Sequence, residues 1–168
     1  MPDTHQQRIP NEIFIPLVDS LFKEARSLLL GTLFSFLAMV ACYWKTDAWL
    51  FLVWAVAFCL VAAVRFWGIR LYNRSDTSDL TREEAERWER FYVAGATASV
   101  SILSTWCFLA FAITTEPFVQ LISFSMTIGY IIGIFGRNFG NSKFATIQTF
   151  CAWLPMTAAL LFFGDIYH

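Results

Sequence analysis

Charged residues are scarce in this chain. They make up 15% of its 168 residues, whereas a soluble domain carries about 25%. Histidine is scarcer still, because only His5 and His168 occur and both lie outside the long apolar runs. The middles of those runs contain no Asp, Glu, Lys, Arg or His. This absence excludes a haem held by two histidines inside the runs, and it argues against proton relays and ion-coupled transport, which use ionisable groups at depth.

Motifs that would indicate an enzyme are also missing. The sequence has no P-loop, no nucleophile elbow and no HExxH pattern. It has no CxxC spacing, and cysteines placed singly in apolar runs behave as small hydrophobic residues. The four are Cys42, Cys59, Cys107 and Cys151. The polar N-terminus gives no sign of a signal peptide. We therefore predict a chain that is not an enzyme, with no catalytic residue, no metal site and no identifiable cofactor.

Apolar residues are present in excess, at 57% of the chain, and include eighteen Phe and seven Trp. A small water-soluble core would not hold so many, so the chain needs lipid or a large partner around it. The apolar residues form continuous runs without strand-like alternation, each near the length of about 20 residues that crosses a bilayer. The sequence predicts an all-α, polytopic transmembrane bundle with five spans, at about 28–44, 48–67, 91–113, 118–135 and 144–163.

Lysine and arginine are distributed unevenly across these runs. The short connections "KTD" and "TTEP" form tight turns on one side, where Lys45 is the sole basic residue. The other eleven fall on the opposite side or at the run ends that face it: Arg8, Lys23, Arg26, Arg65, Arg70, Arg74, Arg82, Arg87, Arg90, Arg137 and Lys143. The positive-inside rule places this basic side in the cytoplasm, together with the N-terminus. Five spans would then leave residues 165–168 outside.

Two segments outside the spans have helical patterns. Residues 1–26 form a cytoplasmic N-terminus. In it, the apolar residues Phe14, Leu17, Leu21 and Phe22 recur at the spacing of an interfacial amphipathic helix, with polar residues on the other face. Residues 27–168 form the five-span membrane domain. Within its basic loop, Thr81 and Glu84 make a capping box, which predicts a helix from near Arg82 into the third span. On that helix Glu83–Arg87 and Glu86–Arg90 have the spacing of ion pairs.

Small residues mark one face of the fourth run. Ser125, Gly129 and Gly133 follow one another at intervals of four, a spacing that lets helices approach closely. This face suits packing within the chain, a pocket for a hydrophobic ligand, or contact with a partner or a second copy. The same helix leads into the cytoplasmic loop "GRNFGNSK", in which Arg137 could hold a lipid phosphate or a partner carboxylate. Alternatively, this loop is only a hinge between two spans, and its basic residues simply follow the positive-inside rule.

Several stretches are together similar to a known kind of membrane domain. "PLVDSLFKEARSLLLG", "RWERFYVAGA", "TWCFLAFA" and especially "SFSMTIGYIIGIFGRNFG" resemble the N-terminal multi-span domain of alphaproteobacterial cyclic-di-GMP signalling proteins, which precedes GGDEF and EAL modules. The resemblance covers roughly residues 11–168 and implies a sensory input domain, with Arg137, Asn138 and Phe139 in its most recognisable motif. Such proteins continue through a sixth span, whereas neither that span nor a GGDEF or EAL signature occurs here.

Two functions remain open at this point. The first is a non-catalytic sensory or regulatory domain in the bacterial inner membrane, as a piece of a longer protein or by itself. The alternative is an accessory subunit of a respiratory or photosynthetic membrane complex, binding lipid, quinone or pigment and shaping the assembly. Both functions place the chain in the bilayer, where it contacts a protein partner or a second copy of itself. Neither function involves nucleic acid.

Overall fold

The computed structural model describes residues 10–23, 25–75, 80–137 and 142–163, and these ranges form six α-helices with no strand. The all-α fold predicted from the continuous apolar runs is therefore confirmed. In chain order the helices are α1 (Asn11–Phe22), α2 (Ala25–Thr46), α3 (Leu50–Arg74), α4 (Arg82–Ile113), α5 (Pro117–Arg137) and α6 (Ser142–Phe163).

Four of the helices are long and apolar enough to cross a membrane, namely α2 from Leu28 onward, α3, α4 and α6. In α5 the apolar stretch Pro117–Gly133 is shorter than such a span. Large apolar side chains lie on the outside of the bundle, and Leu60, Leu154 and Phe162 are among them. A surface of this kind is stable against lipid chains or a partner rather than against water, so the helices have the properties of a membrane bundle.

The bundle has two ends that the helix connections define. The turns between α2 and α3 (47–49) and between α4 and α5 (114–116) lie at one end, called here the hairpin end. At the opposite end, called the α1 end, α1 packs against the end of α3 and the start of α4. A core near the hairpin end joins four helices through Met39 and Cys42 of α2, Phe58 of α3, Trp106 of α4 and Val119 of α5.

The N-terminal helix predicted from the sequence is present as α1, and its apolar face packs on the chain itself. Phe14, Val18 and Phe22 are buried, in one cluster with Tyr72 of α3 and Ala85 of α4. The Phe22 ring stacks on the Tyr72 ring with centroids 4.2 Å apart. These contacts, rather than headgroups alone, hold the buried face of α1.

The predicted start of α4 is confirmed in detail. Thr81 and Glu84 form the capping box, in which the Thr81 amide donates to the Glu84 carboxylate over 3.0 Å. On the first turns of α4, the observed ion pair differs from the pairs expected from the sequence. Arg82 pairs with Glu86 at 3.1 Å, and Arg90 donates to the backbone carbonyl of Glu86.

Among the residues with described positions, the predicted pairs Glu83–Arg87 and Glu86–Arg90 are not formed, so that prediction was wrong. The physical reason lies in α1. Arg82 also donates to the Asn11 side chain over 2.6 Å and lies over the Phe14 ring, which fixes its position beside Glu86. Exposed pairs such as Glu83–Arg87 gain too little to be held in one geometry.

Candidate functional site

A buried arginine occupies the interior of the bundle. Arg65 of α3 is 5% exposed, and α3 continues for nine further residues to Arg74. Arg65 shares a buried face with Ala62, Ile69 and Tyr72, at steps of three and four residues that bring side chains to one side of a helix. The folding of this face inward therefore carries the guanidinium into the helix interface.

Two other helices supply the partners of Arg65. Its Nη1 atom donates to the hydroxyl of Ser99 on α4 over 3.1 Å and to the hydroxyl of Tyr130 on α5 over 3.2 Å. Its guanidinium carbon also lies 5.6 Å from the centre of the Tyr92 ring, within the range of a cation–π contact. Arg65 thus joins α3, α4 and α5.

A glycine makes room for this arrangement. A Cβ atom placed on Gly95 of α4 would lie 2.7 Å from Cγ of Arg65, closer than non-bonded carbon atoms approach. The absence of a side chain at Gly95 therefore lets the arginine stem pass between α3 and α4. The Ser99 hydroxyl, one turn further along, donates back to the Gly95 carbonyl over 3.0 Å, so it accepts from Arg65 with its lone pair.

The charge of Arg65 is not balanced by an acid nearby. No carboxylate of the described part of the chain lies within 4.0 Å of its guanidinium, and its hydrogen-bond partners are neutral hydroxyls. An arginine side chain stays protonated in proteins, so the group is a buried cation. Buried charges are costly and are normally paired, and those within membrane helices commonly belong to functional sites.

The two hydroxyl partners of Arg65 line a cleft of about 600 Å³ that opens between α2 and α5. Both helices contribute to the core near the hairpin end, to which Met39 of α2 belongs and against which Met126 of α5 packs. Most of the lining is apolar, and its polar groups are few. The lining residues are Leu28, Leu30, Gly31, Thr32, Phe34, Ser35, Phe58, Ser99, Met126, Gly129, Tyr130 and Gly133.

The small-residue face predicted on α5 lies partly on this cleft. Gly129 and Gly133 are among its lining residues, and Ser125 is exposed. A Cβ atom added to Gly129 would meet nothing within 4 Å, so none of the described helices packs closely against that position. The face is therefore open for a ligand or a partner at Gly129, and its role stays a prediction.

The loop motif begins at the end of α5. Arg137 is the last residue of α5, but its side chain, together with Asn138 and Phe139, falls outside the described residues. The predicted role of these residues in contacting a lipid or partner is therefore neither supported nor opposed.

Other polar groups on the spans stabilise the bundle. The Ser104 hydroxyl donates to the Cys151 carbonyl over 3.1 Å, joining α4 to α6, and Thr127 donates to the Leu103 carbonyl over 3.4 Å. The cysteines are free thiols, and the described residues contain no group of three or more His, Cys, Asp or Glu side chains that could hold a metal.

The burial of Arg65 was not predicted, because the sequence pattern placed it among the basic residues of a loop side. A signal for burial was present in the spacing of Ala62, Arg65, Ile69 and Tyr72, which continues the helical pattern past Trp67. Chain comparisons add no further assignment: neither known protein families, nor curated proteins, nor solved structures contain a match to this sequence.

Proposed function

We propose that this chain is a non-catalytic sensory or regulatory domain of a bacterial inner membrane, of the type that precedes diguanylate cyclase or phosphodiesterase modules. The observation that supports it is the lateral cleft whose wall contains the two hydroxyl partners of the buried cation Arg65. A site of this composition suits recognition of a small molecule, because a few polar groups in an apolar cleft fix a ligand's orientation.

The continuity of α4 supports a link from this cleft to the α1 end. Ser99 contacts Arg65, and Trp88, eleven residues earlier on the same helix, contacts Phe22 of α1. At a rise of about 1.5 Å per residue these positions are roughly 16 Å apart. A shift of α4 on ligand binding would therefore move the surface on which α1 rests.

The orientation in this proposal has five spans, with α5 as the fourth, and the α1 end in the cytoplasm. The uneven distribution of Lys and Arg supports it, and the burial of Arg65 alters that count by a single residue. A cysteine-free variant carrying Ser75→Cys at the α1 end or Thr115→Cys at the hairpin end tests it. Impermeant maleimide added to intact spheroplasts should label position 115 and spare position 75; the reverse result would reject the orientation.

The regulatory function is tested with a chimera. The chain is followed by one added transmembrane helix and a diguanylate cyclase catalytic domain, and cyclase activity is measured in membranes. Arg65→Met should change that activity about fivefold or more, the usual size of an allosteric coupling. Arg70→Met, an exposed arginine on the same helix, is the matched control and should leave activity unchanged. Equal activity of the unaltered and Arg65→Met chimeras would contradict the proposal.

An accessory subunit of a larger membrane complex is the second candidate. The exposed face at Ser125 and Gly129 favours it, because small residues on an exposed helix face admit a partner helix. Gly129→Leu would then release the chain from a complex purified under mild detergent, whereas a sensory domain would remain the same size after the substitution.

A further inference from the structure

We propose that the cleft between α2 and α5 binds a long-chain fatty acid, with its carboxylate beside Tyr130 and Arg65 and its acyl chain against the apolar lining. The inference names a ligand class for the proposed sensory domain. Its meaning for signalling rests on that proposed function, whereas the binding itself can be measured without it.

The positive charge of Arg65 favours an anionic ligand. Arg65 is a cation, 5% exposed, and its described surroundings supply hydroxyls and an aromatic ring but no carboxylate within 4.0 Å. An anion brought to this place would compensate the charge where the surroundings are apolar and electrostatic attraction is strong. The site therefore favours a negative head group over a neutral one.

The Tyr130 hydroxyl provides a hydrogen-bond donor on the cleft wall. Tyr130 accepts from Arg65 through its oxygen, and its hydroxyl hydrogen is donated to no other described residue. Ser99 differs, since its hydrogen goes to the Gly95 carbonyl. A carboxylate at Tyr130 would accept this hydrogen, in a bond strengthened by the cation on the other side of the phenol oxygen.

The depth of Arg65 in the bundle favours a carboxylate over a phospholipid head group. Arg70 and Arg74 are exposed and lie five and nine residues beyond Arg65, or about 7.5 and 13.5 Å along the axis of α3. A phosphate with its hydrated head group would be held at the level of those exposed arginines. Arg65 lies further into the apolar part of the bundle, where a carboxylate that carries no further head group can follow its chain.

The size and the lining of the cleft suit a hydrocarbon chain. The cleft, at about 600 Å³, has the size of known small-molecule sites, which run from about 300 to about 1,000 Å³. Leu28, Phe58 and Met126 line it, and so do Leu30 and Phe34 of α2, whose side chains are exposed. A flexible hydrocarbon chain can enter sideways between α2 and α5, and its burial contributes to affinity with each methylene group.

Binding is measured on the purified full chain in an uncharged detergent, with isotopically labelled palmitate as probe. Hexadecanol, which has the same chain and no charge, and a phosphatidylglycerol with palmitoyl chains are the comparison probes. We expect saturable binding of one palmitate per chain, and affinities for both comparison probes that are about tenfold or more lower, since a bond to a charged group is lost or displaced. Equal binding of hexadecanol or phosphatidylglycerol would overturn the proposal.

Variants then locate the site. Arg65→Met and Tyr130→Phe should each weaken palmitate binding by about tenfold to about a hundredfold. Gly129→Leu should abolish it by filling the cleft, and because a Cβ there meets nothing within 4 Å this variant should fold even if Arg65→Met does not. Arg70→Met is the control for general attraction by a basic surface, and equal weakening in Arg70→Met would contradict the site.

The two proposals can fail separately. Palmitate binding that depends on Arg65, combined with a chimera whose cyclase activity ignores Arg65→Met, would leave the site in place and reject the regulatory function. A chimera that responds to Arg65→Met, combined with no palmitate binding to the unaltered chain, would reject the fatty acid and keep the regulatory function.

Discussion

The guanidinium of Arg65 donates a hydrogen bond of 3.2 Å to the Tyr130 hydroxyl and so joins α3 to α5 across the interior of the bundle. Tyr130→Phe should lower stability by about 1–3 kcal/mol, because it removes an acceptor from a buried cation. Arg65→Met together with Tyr130→Phe should cost less than the sum of the two single changes, since the double variant leaves no charge unpaired.

Thermal unfolding in detergent of the two single variants and the double variant measures this coupling. Additive losses would mean that the hydrogen bond contributes nothing beyond the packing of each side chain. A double variant that is at least as stable as Tyr130→Phe alone is the expected outcome.

Gly68 lets α3 and α4 approach closely near the α1 end. A Cβ atom added there would overlap Cε1 of Phe91, so the Phe91 ring would have to leave its place beside Trp88. Overpacking of this kind costs about 1–3 kcal/mol, which exceeds the gain of up to about 1 kcal/mol from replacing a helical glycine by alanine. We expect Gly68→Ala to lower the unfolding temperature.

Gly31→Ala is the matched control for that change. A Cβ atom at Gly31 meets nothing within 4 Å, so the gain in helix propensity should remain and stability should hold or rise. Similar losses of unfolding temperature in both variants would refute the role of close approach at Gly68.

The turn between α2 and α3 depends on Asp47, whose φ of 53° lies in the left-handed region. Its amide donates to the Tyr43 carbonyl over 2.8 Å and closes the end of α2. Asp47→Val should destabilise the chain by about 1–2 kcal/mol, because a β-branched residue is strained at this φ, while Asp47→Gly should be neutral or stabilising. Thermal unfolding of the two variants decides the matter, and equal stabilities would show that the turn relaxes to another conformation.

The parts of this fold that could be predicted depend on local sequence. The Thr81–Glu84 capping box spans four residues, so its pattern alone located the start of α4. The long apolar runs likewise predicted helices, since hydrophobicity and length are properties of one segment. The pair expected between Glu86 and Arg90 failed because contacts with α1 selected Arg82 for Glu86.

The candidate site could not be predicted in the same way, because its contacts join distant segments. Arg65 meets Ser99 and Tyr130 at separations of 34 and 65 residues along the chain. Its burial also requires the missing side chain of Gly95 on another helix. A positive charge near the end of an apolar run is usually a membrane anchor, and only the packing of three helices shows otherwise.

The attachment of α1 gives the last prediction. Phe22 is 1% exposed, stacks on Tyr72 and meets the edges of the Trp88 and Tyr92 rings at 5.8 and 5.7 Å. Phe22→Ala should remove about 3–5 kcal/mol from this contact, as losses of buried Phe do. The core near the hairpin end contains none of these residues, so α1 should detach while the bundle stays folded.

Limited trypsin digestion, with cleavage expected beside α1 at Lys23 and Arg26, measures the detachment, and thermal unfolding measures the bundle. Phe22→Ala should be cut much faster than the unaltered chain and unfold at nearly the same temperature. Ile13→Ala is the control, since Ile13 lies on the same helix and is 61% exposed, and it should be cut at the original rate. If Phe22→Ala instead lowers the unfolding temperature as much as a change in the main core, α1 and the bundle form one cooperative unit, because α1 then shares the stability of the helices beneath it.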